Sequence, residues 1–192
     1  MKTLLVDDET SILEQSKIFL EKEDDRLNIE TASSAGKALD LLEEKDYDAI
    51  VSDYQMPEMN GLEFLEEIRN NRNSDIPFIV FTGKGRESVA IKALNLGADR
   101  YLQKGGDPRS QYGTLAHMIA QEIERHRTEQ ALEKSEKKYR RLVETTGDII
   151  FIHDENGNVG FTNRAGLEFS GYTKEEVIGS NIMEFLPETE IS

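Results

Sequence analysis

The first 120 residues alternate short apolar runs with longer amphipathic stretches. The runs of strand length are Leu4–Val6, Leu27–Ile29, Ala49–Val51, Phe78–Phe81 and Tyr101–Leu102. The first, third and fourth runs are continuous, which is typical of strands buried on both faces of a parallel sheet. The pattern therefore predicts five strands, three of which lie in the interior of the sheet.

The stretches between these runs have apolar residues at three- and four-residue spacing, which predicts a helix in each stretch. The apolar positions are Ile12, Leu13, Phe19 and Leu20; Ala35, Ala38, Leu39, Leu41 and Leu42; Leu62, Phe64, Leu65 and Ile68; and Val89, Ala90, Ala93 and Leu94. Gly97 is placed to end the fourth helix, and Pro77 opens the fourth strand. Five such βα repeats predict an α/β fold with a doubly wound five-stranded parallel sheet.

Four of the predicted strands end in residues that are mostly polar. They are Asp7, Asp8 and Glu9; Asp53; Thr82 and Gly83; and Gln103 and Lys104. Ligands of such sheets bind beyond the carboxyl ends of the strands, so these side chains are expected at one edge. A carboxylate pair after the first strand and the single carboxylate after the third would bring three acids together; like charges at roughly 4 Å repel by several kcal/mol, and a hard divalent cation relieves that repulsion. The sequence thus predicts an Mg²⁺ site, with Lys104 paired to a carboxylate or holding a phosphoryl oxygen.

The charge of the chain limits the classes of partner that it is expected to bind. The 38 acidic residues outnumber 23 basic ones, for a net charge of −15. Because a duplex nucleic acid needs a basic footprint, direct nucleic-acid binding is not expected. The chain has no Cys, which excludes thiolate chemistry and suits a reducing compartment, so a cytoplasmic location is expected. No run of 18 apolar residues occurs, so no membrane segment is predicted in this chain.

A segment of different composition follows residue 120. Residues 121–144 have no Gly or Pro and nearly balanced charge, and one extended helix is predicted from Leu115 to Val143. Four of its residues fall seven apart: Met118, Arg125, Leu132 and Tyr139. The accompanying positions, where a strong coiled coil has apolar residues, are Glu122, Glu129 and Glu136. A solvated spacer and a dimerising helix both remain open. His117 and His126 lack the sequence context of a kinase phosphoacceptor and are expected on the surface.

Residues 1 to about 125 resemble the receiver domain of two-component response regulators. The residues that carry the resemblance are Val6–Glu9, Asp53–Glu63, Phe81–Gly83, Gly97–Tyr101 and Lys104. By this resemblance Asp53 is the phosphoacceptor, Lys104 contacts the acyl phosphate and Thr82 hydrogen-bonds to it. The resemblance further implies that Tyr101 changes rotamer in response. It also implies that Asp7, Asp8, Asp53 and the backbone carbonyl of Gln55 bind Mg²⁺.

The resemblance implies that the phosphoryl group comes from a histidine kinase or a phosphotransfer protein. It implies a phosphoacceptor rather than an enzyme, with self-phosphorylation and autodephosphorylation at most. Three alternatives compete. A phosphatase of the haloacid-dehalogenase type needs Asp-x-Asp after the first strand, whereas Asp7 is followed two residues on by Glu9. A pseudo-receiver would act as an interaction module without phosphorylation. A hybrid sensor histidine kinase would have its kinase core outside this chain.

The C-terminal residues resemble the start of a PAS sensor domain. The matching stretches are Tyr139–Glu144, Asp148–Gly157, Phe161–Ala165, Gly171–Glu176 and Ile178–Gly179. A hairpin of Ile149–His153 and Val159–Thr162 is predicted around Asn156-Gly157, followed by two short helices. A complete PAS domain is about twice as long, so this chain is expected to be a fragment of a longer protein, and no PAS ligand is identified.

These patterns divide the chain into three predicted parts. Residues 1–125 form the receiver, residues 126–138 form a helical linker continuous with its last helix, and residues 139–192 form the incomplete α+β PAS segment. A homodimer through the receiver or the linker helix stays open.

Overall fold

The computed structural model describes residues 1–83 and 87–185 of the chain. The chain separates into two compact units, residues 1–129 and residues 130–192. The boundary between the two units falls within one long helix, so each unit is described on its own.

The first unit is an α/β domain in which strands and helices alternate along the chain. Its strands are β1 (Lys2–Val6), β2 (Asn28–Ala32), β3 (Ala49–Ser52), β4 (Phe78–Thr82) and β5 (Arg100–Gln103). Its helices are α1 (Thr10–Glu23), α2 (Ala35–Glu44), α3 (Gly61–Glu66), α4 (Glu87–Asn95) and α5 (Pro108–Thr145), the last of which continues into the second unit. The predicted doubly wound fold is confirmed, and α5 includes the predicted extended helix.

All neighbouring strands of the first unit pair in parallel, in the order β2-β1-β3-β4-β5. The three strands that form the interior of this sheet are those with continuous apolar runs. Residues 3–6 of β1 and every residue of β3 and β4 are buried, because helices cover both faces. The edge strand β2 starts one residue later than predicted and extends to Ala32; it pairs only with β1, and the half-buried Glu30 and exposed Thr31 lie between its buried residues Ile29 and Ala32.

Two apolar layers enclose the sheet. On one face, Leu4, Val6, Ile50, Phe78 and Val80 pack with residues of α2, α3 and α4. On the other face, Leu5, Val51, Ile79 and Phe81 pack with residues of α1 and α5. In α5 the buried anchors are Leu115, Ile119 and Ile123. Successive strand residues face opposite layers, so a single strand can link a change on one face to the helix on the other.

The third helix contains a feature that its apolar spacing does not predict. After α3 the chain widens into a π-helical turn at Glu67–Asn71. This turn places Arg69 where its guanidinium donates to the backbone oxygens of Ser74, Ile76 and Gly97, at 2.8, 2.9 and 3.0 Å. Burial lowers the pKa of Arg69, although the charge of Asp99 opposes that shift. The hydrogen bonds of Arg69 thus connect this turn to the segment before β4 and to the loop before β5.

Thr3 offers a test of the energetics of the core. Its side chain is fully buried, and its hydroxyl oxygen has no hydrogen-bond partner within the described part of the chain. Because Val has nearly the same shape without the hydroxyl, Thr3→Val should raise the free energy of unfolding by about 1 kcal/mol in urea denaturation. The exposed Thr31→Val of β2 is the control and should change it by less than about 0.5 kcal/mol. A Thr3→Val chain no more stable than wild type would contradict this expectation.

The second unit contains the end of α5, a two-stranded hairpin and two short helices. The elements are β6 (Phe151–His153), β7 (Val159–Thr162), α6 (Arg164–Ser170) and α7 (Lys174–Val177), followed by a 3-10 turn at Ile182–Phe185. The strands pair antiparallel, as predicted. Gly157 in the hairpin turn and Gly171 after α6 have φ of 84° and 77°, the left-handed region that glycine favours. Residues 186–192 of the predicted PAS segment lie outside the described residues.

Asn163 explains why β6 starts two residues later than predicted. Its fully buried side chain accepts hydrogen bonds from the backbone N–H groups of Ile150 and Gly166, both at 3.0 Å. Its amide nitrogen donates to the carbonyl oxygens of Val143 and Asp148, both at 2.9 Å. Ile150, the residue before Phe151, is thus held by the Asn163 side chain and by the Asn163 backbone N–H, which donates to the Ile150 carbonyl oxygen at 3.1 Å. Four contacts tie the last turn of α5 to the hairpin and to α6.

The outer half of α5 carries a solvent-exposed apolar stripe. Leu132, Tyr139 and Leu142 are 60, 66 and 60 % exposed. A solvated spacer and a dimerising helix both predict such exposure in a single chain. Of the two histidines on α5, His117 is exposed as expected, whereas the side chain of His126 is only 17 % exposed and lies 3.8 Å from Asp75. Among the described residues, no helix has the length and apolarity needed to cross a membrane.

Candidate functional site

A polar cleft of about 210 Å³ lies at the carboxyl edge of the sheet. Its lining residues come from the ends of β1, β3, β4 and β5 and from the start of α1: Asp7, Asp8, Glu9, Ile12, Asp53, Gln55, Thr82, Gly83 and Lys104. The structure brings together every predicted site residue except Tyr101, which is not part of the lining. Four carboxylates and one ammonium group give these described residues a formal charge of −3.

The two inner carboxylates are held by the backbone around them. Asp7 is 4 % exposed, and its Oδ1 accepts a hydrogen bond from the backbone N–H of Glu9 at 2.9 Å. Asp53 is 8 % exposed, and its Oδ2 accepts from the backbone N–H of Gln55. The backbone N–H of Asp53 donates to the carbonyl oxygen of Val6 at 2.8 Å, which fixes the end of β3 beside that of β1. Asp8, by contrast, is exposed.

Lys104 joins these two acids. Its Nζ donates to Asp7 Oδ2 at 2.6 Å and to Asp53 Oδ1 at 2.8 Å. Burial alone would lower the pKa of Lys104, but its hydrogen bonds to Asp53 and Asp7 and the charges of both acids raise the pKa above the usual lysine value. The ammonium group therefore stays protonated and offsets part of the negative charge of the cleft.

The Lys104 pairing predicts how the stability of the chain changes at alkaline pH. Since the folded pKa of Lys104 lies above the unfolded value of 10.5, its contribution is fully present below pH 10.5 and is lost as the pH rises through the folded value. Lys104→Met should therefore be less stable than wild type at neutral pH, and the gap should narrow above pH 10.5. Urea midpoints measured across this range test it, with the exposed Lys138→Met as control. A gap that widens at high pH would contradict the prediction.

A close backbone contact sets the loop after Asp53. Gly61, the first residue of α3, donates its N–H to the Tyr54 carbonyl oxygen at 2.8 Å. A Cβ atom at position 61 would lie 2.1 Å from the carbonyl oxygen of Asp53, so only glycine fits there. Asn60 caps α3 by accepting from the N–H of Leu62, while Glu63 accepts from the N–H of Asn60. The start of α3 thereby fixes the backbone that carries Asp53.

The two predicted switch residues lie on neighbouring strands. Thr82 ends β4, is 1 % exposed and lines the cleft. Its carbonyl oxygen accepts from the N–H of Lys104 at 2.8 Å. Tyr101 of β5 packs with the layer formed by α2, α3 and α4, and within the described residues its buried hydroxyl has no hydrogen-bond partner. Burial raises the pKa of the Tyr101 phenol, and the charge of Asp53 adds to that effect.

The donor chemistry of the cleft suits Mg²⁺. Carboxylate and carbonyl oxygens are the ligands that this hard cation prefers, and Asp7, Asp8, Asp53 and Gln55 offer them at one edge. In the ranges that the structure describes, no three or more acidic or histidine side chains are already arranged to enclose a metal ion. The carboxylates of Asp7 and Asp53 instead share the ammonium of Lys104. The residues fit the cation by chemistry, without a preformed cage.

Three lining residues have no role predicted from the sequence. Glu9 and Gly83 directly follow predicted site residues, so the rule that ligands bind at strand ends is a signal that finds them. Ile12 is predicted as an apolar position of α1, yet it is only partly buried and borders the cleft. Its position in the first turn of α1, next to the end of β1, is the signal for that placement.

The strand order β2-β1-β3-β4-β5 and the cleft at the carboxyl edge of the sheet define a flavodoxin-like domain. Residues 3–114 match the family model of the response regulator receiver domain, and residues 137–191 match that of the PAS fold. The first match spans more than half of the chain, and the chain belongs to the response regulator receiver domain family. The resemblance seen in the sequence is thus confirmed for both segments, and the first unit is a receiver domain of two-component systems.

Relatives and solved structures agree with this family. The Response regulator SaeR of Staphylococcus aureus (strain USA300) is 40 % identical over 106 residues, which is 55 % of this chain and 45 % of the relative. The chain thus spans less than half the length of this curated relative. A receiver domain protein from Clostridium thermocellum is 31 % identical, with a TM-score of 0.58 over 66 % of this chain and 97 % of that one. A CheY-like receiver domain protein from Methanospirillum hungatei JF-1 is 30 % identical, with a TM-score of 0.55 over 65 % and 97 %.

Proposed function

We propose that this chain accepts a phosphoryl group on Asp53 from a histidine kinase or phosphotransfer protein, in a reaction that depends on Mg²⁺. The observation that carries the proposal is the shared contact of Lys104 with Asp7 and Asp53 inside the strand-end cleft. An ammonium group held against the acceptor carboxylate is suited to offset the charge of an incoming phosphoryl group. A surface used only for protein interaction has no need of that arrangement.

The chemistry is a transfer between two side chains. The P–N bond of a phosphohistidine breaks and leaves its electron pair on the imidazole nitrogen, while a P–O bond forms to a carboxylate oxygen of Asp53. The hydrogen bonds from Lys104 Nζ and the Gln55 N–H orient the Asp53 carboxylate for attack. Little other chemistry is required of the protein, because positioning and charge stabilisation supply most of the catalysis.

The carboxylates of Asp7, Asp8 and Asp53 and the carbonyl of Gln55 would hold the Mg²⁺. When bound, the cation offsets charge on the transferred phosphoryl group. Asp7 already shares the ammonium of Lys104, and Asp8 is free to turn toward a ligand because it is exposed. Bound Mg²⁺ would change the formal charge of the cleft from −3 to −1, which would lessen the repulsion of an anionic phosphoryl donor.

The signal then reaches the rest of the chain through two switch residues. Thr82 lines the cleft, and its hydroxyl would hydrogen-bond to the phosphoryl group. The Tyr101 hydroxyl, buried without a partner in the described residues, gains a hydrogen bond when its side chain turns. The change passes along α5 to the PAS segment of a cytoplasmic signalling protein.

Incubation with acetyl phosphate and Mg²⁺, followed by intact-mass measurement, tests the proposal. The wild-type chain should gain one phosphoryl group, and omission of Mg²⁺ or addition of a chelator should prevent the gain. An unrelated receiver labelled in the same tube is the positive control. A wild-type chain that stays unmodified while the control is labelled would overturn the proposal and favour a phosphorylation-independent interaction module.

A further inference from the structure

A buried carboxylate on α5 has no part in the phosphoryl chemistry. Glu122 is 1 % exposed and lies on the face of α5 that also carries Ile119 and Ile123. A Glu on the buried side of a helix is unusual unless its charge is paired, because transfer of an ionised group from water is unfavourable. Glu122 therefore points to a specific contact between α5 and the strand beneath it.

Two arginines from different elements provide that contact. Arg100 of β5 donates from Nε to Glu122 Oε1 at 2.6 Å, and Arg125 of α5 donates from Nε to Oε2 at 2.7 Å. Each carboxylate oxygen thus has its own guanidinium partner. The Glu122 carboxylate is buried, whereas the side chains of Arg100 and Arg125 are 43 and 45 % exposed. Because Arg125 belongs to α5 itself, the Arg100 contact is the one that fixes α5 against β5, and loss of Arg100 would leave a buried carboxylate oxygen without its partner.

The charges continue beyond Glu122. Arg125 donates from Nη2 to Asp99 Oδ1 at 2.5 Å, and Arg69 donates from Nη2 to Asp99 Oδ2 at 3.1 Å. Asp99 also accepts from the backbone N–H of Phe78, the first residue of β4, at 2.9 Å. A chain of alternating charge therefore links the π-helical turn after α3, the starts of β4 and β5, and α5.

This chain of charges starts one residue from the predicted switch. Arg100 and Tyr101 are neighbours in β5, and their side chains face opposite sides of the sheet. Tyr101 packs with the layer of α2, α3 and α4, whereas Arg100 reaches α5. Burial raises the pKa of the Tyr101 phenol, and the charge of Asp53 adds to that rise. A displacement of β5 at Tyr101 must also move the guanidinium that holds Glu122.

We infer that Glu122 is the positioning residue through which β5 holds α5, and that phosphorylation of Asp53 weakens its contact with Arg100. This inference rests on the proposed function, because it names how the signal leaves the phosphorylation site. A shift of β5 at Tyr101 opens the Arg100–Glu122 pair and loosens residues 115–129 of α5, the part that docks on the sheet. Glu122, one of the three acids that weaken the coiled-coil pattern, is thus the residue whose contact with β5 depends on phosphorylation.

Hydrogen–deuterium exchange of the full chain, with and without acetyl phosphate and Mg²⁺, tests the inference. In wild type, phosphorylation should speed exchange in residues 115–129. Glu122→Gln keeps the shape but removes the charge, so it should take up the phosphoryl group and lose this phosphorylation-dependent difference. The neighbouring exposed Glu124→Gln is the matched control and should retain the wild-type difference. Arg100→Gln breaks the same pair from the strand side and should also lose the phosphorylation-dependent difference. It therefore tests the inference even if Glu122→Gln folds poorly.

The outcomes separate the inference from the proposed function. A wild-type chain that is labelled on Asp53 without any change of exchange in residues 115–129 would overturn the inference and leave the function standing. The same holds if Glu122→Gln and Arg100→Gln both keep the full wild-type difference. A chain that takes up no phosphoryl group would overturn the proposed function, and the inference with it. If Glu122 had a purely structural role, Glu122→Gln would change exchange equally with and without phosphorylation. The wild-type difference would then be retained, and the inference would be overturned.

Discussion

An Asp53→Asn variant should take up the phosphoryl group of acetyl phosphate at least about a thousandfold more slowly than wild type, because the variant lacks the nucleophile. The carboxamide of Asn is nearly isosteric with the carboxylate but carries no negative charge. Its oxygen can still accept from the Gln55 N–H or from Lys104, so the fold of the cleft should persist. Intact-mass measurement over time gives the rate, and circular dichroism confirms that the variant is folded.

The control for this variant is an acid of the same type outside the cleft. Asp46 is exposed between α2 and β3, and Asp46→Asn should be labelled at the wild-type rate. Peptide mapping of the labelled wild-type chain should place the phosphoryl group on the peptide that contains Asp53. Labelling of Asp53→Asn at the wild-type rate would show that another carboxylate, such as Asp7 or Asp8, is the acceptor.

The fold was predictable because its signals are local. A continuous apolar run identifies a strand buried on both faces, and the three continuous runs proved to be the three interior strands of the sheet. The edge strand β2 was placed less accurately, since it pairs with a strand on one side only and its polar residues extend beyond the apolar run. The apolar spacing of the third helix does not predict the π-helical turn at Glu67–Asn71, and the carbonyl oxygens that Arg69 contacts there lie outside the turn.

The sequence was sufficient to predict the edge of the sheet at which the site lies, but not which atoms in the site contact each other. The strand-end rule brings Asp7, Asp53 and Lys104 together although Lys104 lies 97 residues after Asp7. That rule cannot tell which oxygens share the ammonium group, because side-chain pairing depends on the tertiary structure. The same holds for Glu122. Its position on the buried face of α5 follows from the spacing of Ile119 and Ile123, but its pairing with Arg100 cannot be predicted from that spacing.

Asn163 extends this point to the second unit. Its motif carries the resemblance to a PAS domain, but its four hydrogen bonds join residues 143, 148, 150 and 166, which no local pattern relates. Local sequence thus specifies elements, while the residues that fasten elements to one another are polar, buried and satisfied only in the folded chain. Glu122 fastens the part of α5 in the first unit, and Asn163 fastens the part in the second.

Gly61→Ala should lower the free energy of unfolding by about 1–3 kcal/mol and slow phosphoryl uptake, because the new Cβ cannot be accommodated. That atom would lie 2.1 Å from the carbonyl oxygen of Asp53 and 3.0 Å from the Cα of Tyr54, and both are backbone atoms that cannot rotate away. Either α3 or the loop that carries Asp53 must move. A displaced Asp53 loses its alignment with Lys104, so the rate of labelling should fall together with stability.

Gly36→Ala is the matched control, since the same substitution has the opposite expected effect there. Gly36 lies in α2, and the nearest heavy atom to its added Cβ would be Ser34 Oγ at 4.0 Å, an ordinary contact. Ala at this helical position should raise the free energy of unfolding by roughly 0.5–1 kcal/mol and leave labelling unchanged. Urea denaturation and acetyl phosphate labelling of both variants measure the contrast. If Gly61→Ala proved as stable and as readily labelled as Gly36→Ala, the close approach of α3 to Asp53 would not be what fixes the acceptor.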